Sequence, residues 1–219
     1  MRCWGIRDML IPFQELFARH RVRPQGVLHL GANEGQEAAA YHKQRISTVI
    51  WVEALPDVCV RLEKHLLQWP GHHKVLCACV SDMDGVGVQF HVANNQAQSS
   101  SFLEFGTHTK EHPSVKWVRH ETLHTVRVDT LFAKHGVELL GDDWFLNVDL
   151  QGAELLALRG MGDLLRHFRW AYIEVNERGL YKGCPLVGDV DAFMDHHGFT
   201  GAEVRMTDFG WGDKLYIRS

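Results

Sequence analysis

A short apolar segment that runs into a glycine turn is the strongest chemical signal in the sequence. Residues 27–30 have the composition of a buried strand, and the turn that follows is Gly31-Ala32-Asn33-Glu34-Gly35. A strand, a glycine turn and the start of a helix direct backbone N–H groups at a ligand above the turn. Gly31 permits the sharp turn, and Gly35 permits close approach of helix and ligand. We therefore predict that all five turn residues belong to a nucleotide-binding site.

A carboxylate follows at the position where the ribose of a nucleotide needs one. Glu53 ends the next apolar strand, about 20 residues beyond the turn, and a carboxylate there accepts hydrogen bonds from ribose hydroxyls. Ser81 and Asp82 end the third strand, and we predict that they contact the adenine edge. A simple turn explains Ser81 and Asp82 equally well.

The side chains within the turn favour a ligand that has no phosphates. The dinucleotide fingerprint is G-x-G-x-x-G, whereas Asn33 takes its second glycine position and Gln36 its third. Both side chains would crowd a pyrophosphate, but they leave room for an adenosine with an amino-acid tail. S-adenosylmethionine is therefore the predicted cofactor. A nicotinamide-dependent oxidoreductase and a non-catalytic nucleotide-binding module are the alternatives.

Acidic side chains end the fourth and fifth strands, at the edge where open α/β sheets bind ligands. Asp149 is the first candidate for a catalytic residue, because it is suited to contact the cofactor, to orient the acceptor or to act as a base. A helix cap is its alternative role. Glu174 is the second candidate, and Glu154 is assigned to the positive end of a helix. Asp149, Glu174 and Asn176 offer oxygens to a divalent cation, but no closely spaced acidic loop accompanies them and no metal is assigned.

A long polar stretch, residues 94–122, is predicted to form a lid or substrate-binding loop. Within it, His108 is the candidate general base. His112 and the run Ser99-Ser100-Ser101 are predicted to line the acceptor site.

Pairs of histidines spaced four apart raise zinc as an alternative for the same region. The pairs are His108 with His112 and His120 with His124. On a helix each pair would share a face. Pro113 follows the first pair, and no cysteine or acidic ligand completes a known pattern, so zinc is not assigned.

The elements that must position these residues alternate between strand and helix. The predicted strands are residues 27–30, 47–53, 75–80, 144–149, 170–175, 199–206 and 214–217. The predicted helices are a leading helix over 6–20 within residues 1–24, one from Asn33 and its capping partner Gln36, one from Pro56, and two over 153–168 and 190–197. Residues 86–92 alternate with period two, so we predict an inserted hairpin with 125–128. The pattern predicts an α/β fold, a mainly parallel sheet between two helical layers.

Composition and charge narrow the class of partner. The 219 residues are 45% hydrophobic and 23% charged, which suits one domain over residues 1–219. The formal net charge is −4, so we expect a small-molecule substrate and neither nucleic acid nor a membrane as partner. The five cysteines form no C-x-x-C and accompany no secretory signal, which predicts reduced thiols and a cytoplasmic location. Cys77 and Cys79 are predicted to face the core together.

Five stretches of the sequence, in order between about residues 25 and 200, resemble the FkbM family of S-adenosylmethionine-dependent methyltransferases. They are Leu30-Gly31-Ala32-Asn33-Glu34-Gly35, Val52-Glu53-Ala54-Leu55-Pro56, Ser99-Ser100-Ser101, Val128-Asp129-Thr130-Leu131, and Asn147-Val148-Asp149-Leu150-Gln151-Gly152-Ala153-Glu154 continuing to Leu158-Arg159-Gly160. Ile173-Glu174-Val175 extends the match.

The resemblance implies a Rossmann-like class I methyltransferase fold, with a seven-stranded sheet whose last strand is antiparallel. It also implies O-methylation, typically of a hydroxyl on a sugar or another natural product. Asn147 departs from the family, which often has lysine at this position. Methylation of a nitrogen or of a peptide side chain would use the same cofactor residues and is the alternative.

Overall fold

The computed structural model describes residues 9–219. Its elements in chain order are α1 (Phe13–His20), β1 (Gly26–Leu30), α2 (Ala38–Lys43), β2 (Thr48–Glu53), α3 (Pro56–Leu66), β3 (His72–Cys77), β4 (Cys79–Val80), β5 (Gly87–Ala93), α4 (His108–Glu111), β6 (Trp117–Val126), α5 (Val128–Lys134), β7 (Trp144–Val148), α6 (Glu154–Gly160), β8 (Phe168–Asn176), α7 (Val187–His196), β9 (Phe199–Met206) and β10 (Trp211–Arg218). None of the helices within residues 9–219 combines the length and apolar character that crossing a membrane requires.

Seven strands form one sheet in the order β3-β2-β1-β7-β8-β10-β9. The pairs β1 with β2, β1 with β7, β2 with β3 and β7 with β8 are parallel. β10 is antiparallel to both of its neighbours, β8 and β9. The sheet confirms the prediction of a mainly parallel seven-stranded sheet with an antiparallel last strand.

Helices cover both faces of this sheet. Val27 on β1 packs in a cluster with α1, α2 and α3, whereas its neighbour Leu28 packs in a cluster with α5, α6 and α7. Every residue of β1 and of β7 is buried, as expected for parallel strands that are covered on both faces. The arrangement confirms the predicted three-layer α/β fold.

The leading helix is shorter than predicted. α1 follows Pro12 and ends where Arg21 adopts a left-handed φ of 54°. Leu10, predicted to lie on the helix, precedes it. The predicted residues 6–8 lie outside the described residues. The buried face of α1 is formed by Phe13, Leu16 and Phe17, as the apolar spacing predicts.

The first crossover helix begins later than predicted. Asn33 adopts a left-handed φ of 44°, and its backbone N–H donates to the carboxylate of Glu53 at 2.9 Å. Gln36 does donate to the Asn33 side chain at 2.8 Å, but α2 starts only at Ala38. The prediction of a capping box at Asn33 is therefore wrong. In a capping box the side chain of Gln36 would accept the backbone N–H of Asn33, but here Glu53 accepts it.

The helix predicted for residues 153–168 is divided. α6 ends at Gly160, and a 3₁₀ segment, Gly162–His167, begins at a glycine with φ of 52°. A Cβ on Gly160 would lie 2.0 Å from the carbonyl oxygen of Ser81, so the end of α6 packs directly on the backbone after β4. α7 begins at Val187, earlier than the predicted residue 190.

The third predicted strand, residues 75–80, is divided between two sheets. β3 ends in the main sheet, and β4 pairs in parallel with β6 in a three-stranded sheet of order β4-β6-β5. The backbone N–H of Ala78 donates to the carbonyl of Glu53 at 2.8 Å between the two strands. Cys79 is buried and Cys77 is exposed, so the prediction that both face the core is wrong for Cys77.

The inserted hairpin is confirmed, but it is longer than predicted. β5 pairs antiparallel with residues 117–124 of β6 (Trp117–Val126), whereas the last two residues of β6, Thr125 and Val126, pair with β4. The loop predicted for 94–122 therefore ends before Trp117, and Val128 begins α5. Most of β6 is exposed or half-buried, so its side chains are largely polar and do not show the apolar alternation of a strand. Its pairing is made by backbone groups, which leave no such pattern in the sequence.

Candidate active site

A cleft opens at the carboxyl ends of β1, β2, β7 and β8. The strand order reverses at β1, whose neighbours are β2 and β7, and open α/β sheets bind ligands at such a point. The cleft is lined by Gly31 after β1, Glu53 on β2, Asp149 after β7 and Glu174 on β8. The tertiary structure therefore brings these four predicted site residues to one cleft.

Gly31 occupies a position that excludes a side chain. Its φ is 83°, and a Cβ there would lie 1.8 Å from the carbonyl oxygen of Asp149. The N–H of Asp149 donates to the carbonyl of Leu30 at 3.0 Å, so the chain segments that follow β1 and β7 are in direct backbone contact. The glycine is required by this contact as well as by the turn.

Four of the five backbone N–H groups of the turn are bonded within the protein. Gly31 and Ala32 donate to the carbonyl of Val52 at 2.9 and 3.0 Å, and Gly35 donates to the carbonyl of Ala32 at 2.8 Å. Asn33 donates to the carboxylate of Glu53. The prediction that these N–H groups point at a ligand is therefore wrong; the turn instead shapes the cleft and fixes Glu53.

Glu53 fits the ribose of an adenosyl cofactor. One carboxylate oxygen accepts the N–H of Asn33 at 2.9 Å and the other accepts the N–H of Leu55 at 3.0 Å. Burial raises the pKa of this carboxyl, and the N–H groups of Leu55 and Asn33 act in the opposite direction. Since an ionised carboxylate offers about four lone-pair sites, Glu53 retains capacity for further donors such as the hydroxyl groups of a ribose.

The cleft also has an apolar lining suited to an adenine ring, formed by Ala54, Ala78, Cys79, Val80, Phe90 and Phe102. Ser81 and Asp82, predicted for the adenine edge, lie just beyond this lining. The carbonyl of Ser81 abuts Gly160, and Arg127 donates to the carbonyl of Asp82 at 3.1 Å. Residues 78–80 line the cleft in their place.

Other turn residues hold the fold around the cleft. Ala32 is only 1% exposed and belongs to the core. A Cβ on Gly35 would lie 2.7 Å from the side chain of Leu62, so the glycine permits the close approach of α3. Glu34 pairs with Arg61 at 2.7 Å on the surface.

The side chain of Gln151 bridges Asp149 and Glu174, the two acidic candidates for a catalytic role. Its Nε2 donates to the carboxylate of Asp149 and to an oxygen of Glu174 at 3.2 Å. Its Oε1 lies 2.8 Å from the hydroxyl of Tyr181, which is also 3.1 Å from the carbonyl of Ser99. Gln151 lies in a stretch that resembles the FkbM family, but the sequence assigns it no role, and Tyr181 has no local pattern that marks it. The network fixes both carboxylates at one wall of the cleft.

Glu154 fixes the backbone beneath this network. One of its oxygens accepts the N–H groups of Leu150 and Gly152, each at 2.9 Å, and between them Gln151 adopts a left-handed φ of 54°. Glu154 is 1% exposed. Burial raises the pKa of its carboxyl to about 7, and the charge of Asp149 adds to the increase. The sequence places Glu154 at a helix start but gives no sign of this role.

Two neutral polar side chains, those of Asn147 and His29, also line the cleft. The amide nitrogen of Asn147 donates to the hydroxyl of Tyr41 at 2.9 Å and lies 3.3 Å from Nε2 of His29. Burial lowers the pKa of His29 to about 3, so its imidazole is neutral at physiological pH. Asn147, the departure from the family pattern, is thus matched by an uncharged neighbour. The sequence gives no indication of this pairing.

Ser100 brings the predicted lid to the cleft, which it lines together with Ala97, Gln98 and Phe102. Its two neighbours are structural. Ser99 is 2% exposed and accepts the side-chain amide of Asn95 at 2.9 Å, and Ser101 accepts the N–H of Leu103 at 3.1 Å.

His108 and His112 lie in an aromatic cluster and not on the cleft wall. The ring of His108 stacks on Phe105 with centroids 4.2 Å apart, and His108 is only 1% exposed. The ring of His112 packs on Phe209 at 4.9 Å. Since Asp149 and Glu174 line the cleft and His108 does not, the two carboxylates are the better placed candidates for a base.

The second histidine pair does not have the geometry that zinc would need. His120 and His124 lie on β6, so the premise of a shared helix face fails. Nδ1 of His120 instead lies 2.8 Å from Nδ1 of His91 across the hairpin.

The sequence of this domain matches a known family. The family model for the methyltransferase FkbM domain matches residues 29–200, which span the cleft from β1 to β9. The chain belongs to the FkbM methyltransferase family. S-adenosylmethionine is accordingly the cofactor of this FkbM domain.

A curated methyltransferase is similar to part of the chain. The chain is 25% identical over 164 residues to the 2-O-methyltransferase NoeI of Sinorhizobium fredii. These aligned residues make up 72% of this chain and 65% of that protein. The chain therefore spans 65% of the length of that relative.

Two solved S-adenosylmethionine-dependent methyltransferases share the fold. The protein from Aquifex aeolicus is 9% identical, with a TM-score of 0.51 over 94% of this chain and 89% of that chain. The TehB-like protein from Corynebacterium glutamicum is 10% identical, with a TM-score of 0.50 over 97% and 90%. These likenesses confirm the predicted class I fold of the FkbM domain.

We expect Glu53→Ala to weaken binding of S-adenosylhomocysteine at least about tenfold, because hydrogen bonds to a buried carboxylate each contribute about 1.5–3 kcal/mol. Isothermal titration calorimetry measures the change. Glu34→Ala is the matched control, because its carboxylate pairs with Arg61 on the surface, and we expect its affinity to stay within about threefold. Equal affinities for Glu53→Ala and the unmodified protein would remove Glu53 from the site.

Proposed function

We propose that this FkbM domain methylates a hydroxyl oxygen on an uncharged polyhydroxy acceptor, such as a sugar or another natural product. The observation that carries the proposal is the pair of carboxylates, Asp149 and Glu174, joined by Gln151 at the wall of the cofactor cleft. The name of the relative NoeI, a 2-O-methyltransferase, supports oxygen as the methylated atom.

The bound cofactor supplies a methyl group on a sulfonium, ready for transfer to a nucleophile. Asp149 or Glu174 accepts the proton of the acceptor hydroxyl, because both line the cleft and Gln151 holds them together at one wall. The side-chain amide of Gln151 holds both carboxylates in place. Glu154 in turn fixes the backbone next to Gln151 by accepting backbone N–H groups there. Orientation of the acceptor can supply about 7–11 kcal/mol of the barrier, and a positioned base about 10²–10⁴-fold in rate.

The charge of the cleft lining favours an uncharged acceptor. Five carboxylates line it, those of Glu37, Glu53, Asp149, Glu174 and Asp213. Among the described residues that line the cleft, none is lysine or arginine. A phosphate or carboxylate on the acceptor would therefore face the like charge of these side chains. The same repulsion acts against a nucleic-acid substrate.

We expect the chain to transfer methyl groups to neutral polyols and glycosides at a kcat/KM at least about 100-fold above that for their phosphorylated counterparts, owing to this repulsion. The test is a mass-spectrometric screen for added methyl groups, with matched neutral and phosphorylated acceptors. An amine-bearing set provides the comparison with N-methylation. Transfer to amines but not to hydroxyls, or a preference for phosphorylated acceptors, would contradict the proposal.

A further inference from the structure

We propose that Asp149, Glu154 and Glu174 bind one divalent cation at the wall of the cleft. One carboxylate oxygen from each of the three lies within 4.8 Å of the other two. Oxygens around a divalent cation lie about 2.0–2.6 Å from the ion, so opposite ligands are separated by about 4–5 Å and the cluster has the required size. Cation binding is a property beyond the proposed methyl transfer, and it can be measured without acceptor or methyl transfer.

The second oxygen of Glu154 points to a ligand independently of this clustering. Its Oε1 accepts two backbone N–H groups, from Leu150 and Gly152. Its Oε2 is buried, and within residues 9–219 no hydrogen-bond donor reaches it. A buried carboxylate oxygen without a partner is costly. A cation supplies that partner; a proton on Oε2 is the competing explanation, and it predicts no cation binding.

Gln151 can supply a fourth ligand if its side-chain amide turns over, which exchanges its donations to the two carboxylates for a bond to the cation and keeps its contact with Tyr181. As described above, its Nε2 bridges Asp149 and Glu174, and its Oε1 faces Tyr181. The two ends of a side-chain amide have the same shape, so a half-turn presents Oε1 to the carboxylates. Nε2 then donates to the Tyr181 hydroxyl, and that hydroxyl donates to the carbonyl of Ser99, 3.1 Å away.

The donor set indicates the class of cation. Carboxylate and amide oxygens suit Mg²⁺, Mn²⁺ and Ca²⁺, whereas zinc and copper sites use histidine and cysteine. Asp149 and Glu174 line the cleft, so the site is open to an acceptor on one side. A hydroxyl bound there would have a lowered pKa.

The experiment titrates the whole 219-residue chain, after EDTA treatment and dialysis, with MgCl₂, MnCl₂ and CaCl₂ in separate calorimetric runs, without cofactor or acceptor. We expect one saturable site per chain, and the electron paramagnetic resonance signal of free Mn²⁺ to fall as the ion binds. Glu154→Gln retains the oxygen that accepts the two N–H groups and changes only the unpartnered one, so it isolates the proposed role. We expect Glu154→Gln to weaken binding at least about tenfold.

Glu37→Gln is the matched control, because it removes a carboxylate that lines the same cleft outside the cluster, and we expect unchanged cation affinity. Glu174→Gln provides a second ligand variant if Glu154→Gln fails to fold, as judged by circular dichroism. Absence of saturable binding for all three ions, or equal affinity in the unmodified protein and the ligand variants, overturns the proposal. Those results leave the proposed methyl transfer untouched, since neither cofactor nor acceptor is present.

Discussion

Replacement of Gly31 by alanine is expected to lower the free energy of unfolding by about 4 kcal/mol and to abolish binding of S-adenosylhomocysteine. The left-handed φ of 83° alone costs an L-residue about 1–2 kcal/mol. The added Cβ would also lie 1.8 Å from the carbonyl oxygen of Asp149, and neither backbone segment can move without breaking the β1–β7 contact. Urea denaturation measures the stability, and calorimetry measures the binding.

Gly85→Ala separates these two causes. Gly85 has a similar φ of 73°, but a Cβ there would meet no atom within 4 Å. We expect Gly85→Ala to cost about 1–2 kcal/mol, with cofactor affinity unchanged. If Gly31→Ala and Gly85→Ala destabilise the protein equally, the contact between the turn and Asp149 is not what requires the glycine.

Asp149→Asn is expected to reduce turnover about 10²–10⁴-fold while affinity for S-adenosylhomocysteine stays within about threefold. The substitution retains an oxygen that can accept from Gln151, but removes the basicity and the negative charge. Single-turnover kinetics with a neutral acceptor from the screen, together with calorimetry, separates the chemical step from cofactor binding.

Asp142→Asn is the matched control for Asp149→Asn. Asp142 is an exposed carboxylate just before β7, at the end of the strand opposite Asp149, and we expect its replacement to change neither quantity. If Asp149→Asn weakens cofactor binding as much as turnover, the carboxylate holds the cofactor. If it changes neither, Asp149 has only a structural role.

The sequence by itself determined which residues meet at the cleft. Gly31, Glu53, Asp149 and Glu174 each lie at or just beyond the carboxyl-terminal part of a predicted strand. Because the carboxyl ends of parallel strands share one edge of a sheet, the alternation of strands and helices was sufficient to bring them together. Local apolar periodicity also predicted the sheet and its helical layers, since that pattern is set by which side chains must be buried.

Only the tertiary structure decided what those residues contact. The N–H groups after β1 bond to Val52 and Glu53, and Gln151 bridges Asp149 and Glu174 while contacting Tyr181. These partners are distant in the chain or are chosen by backbone geometry, such as the left-handed φ of Gln151, which leaves no periodic trace in the sequence. Hydrogen bonds depend on direction and on distances of about 3 Å, whereas burial depends only on which face of an element a side chain occupies. The sequence therefore determined where the site lies, and the tertiary structure determined which contacts its residues make.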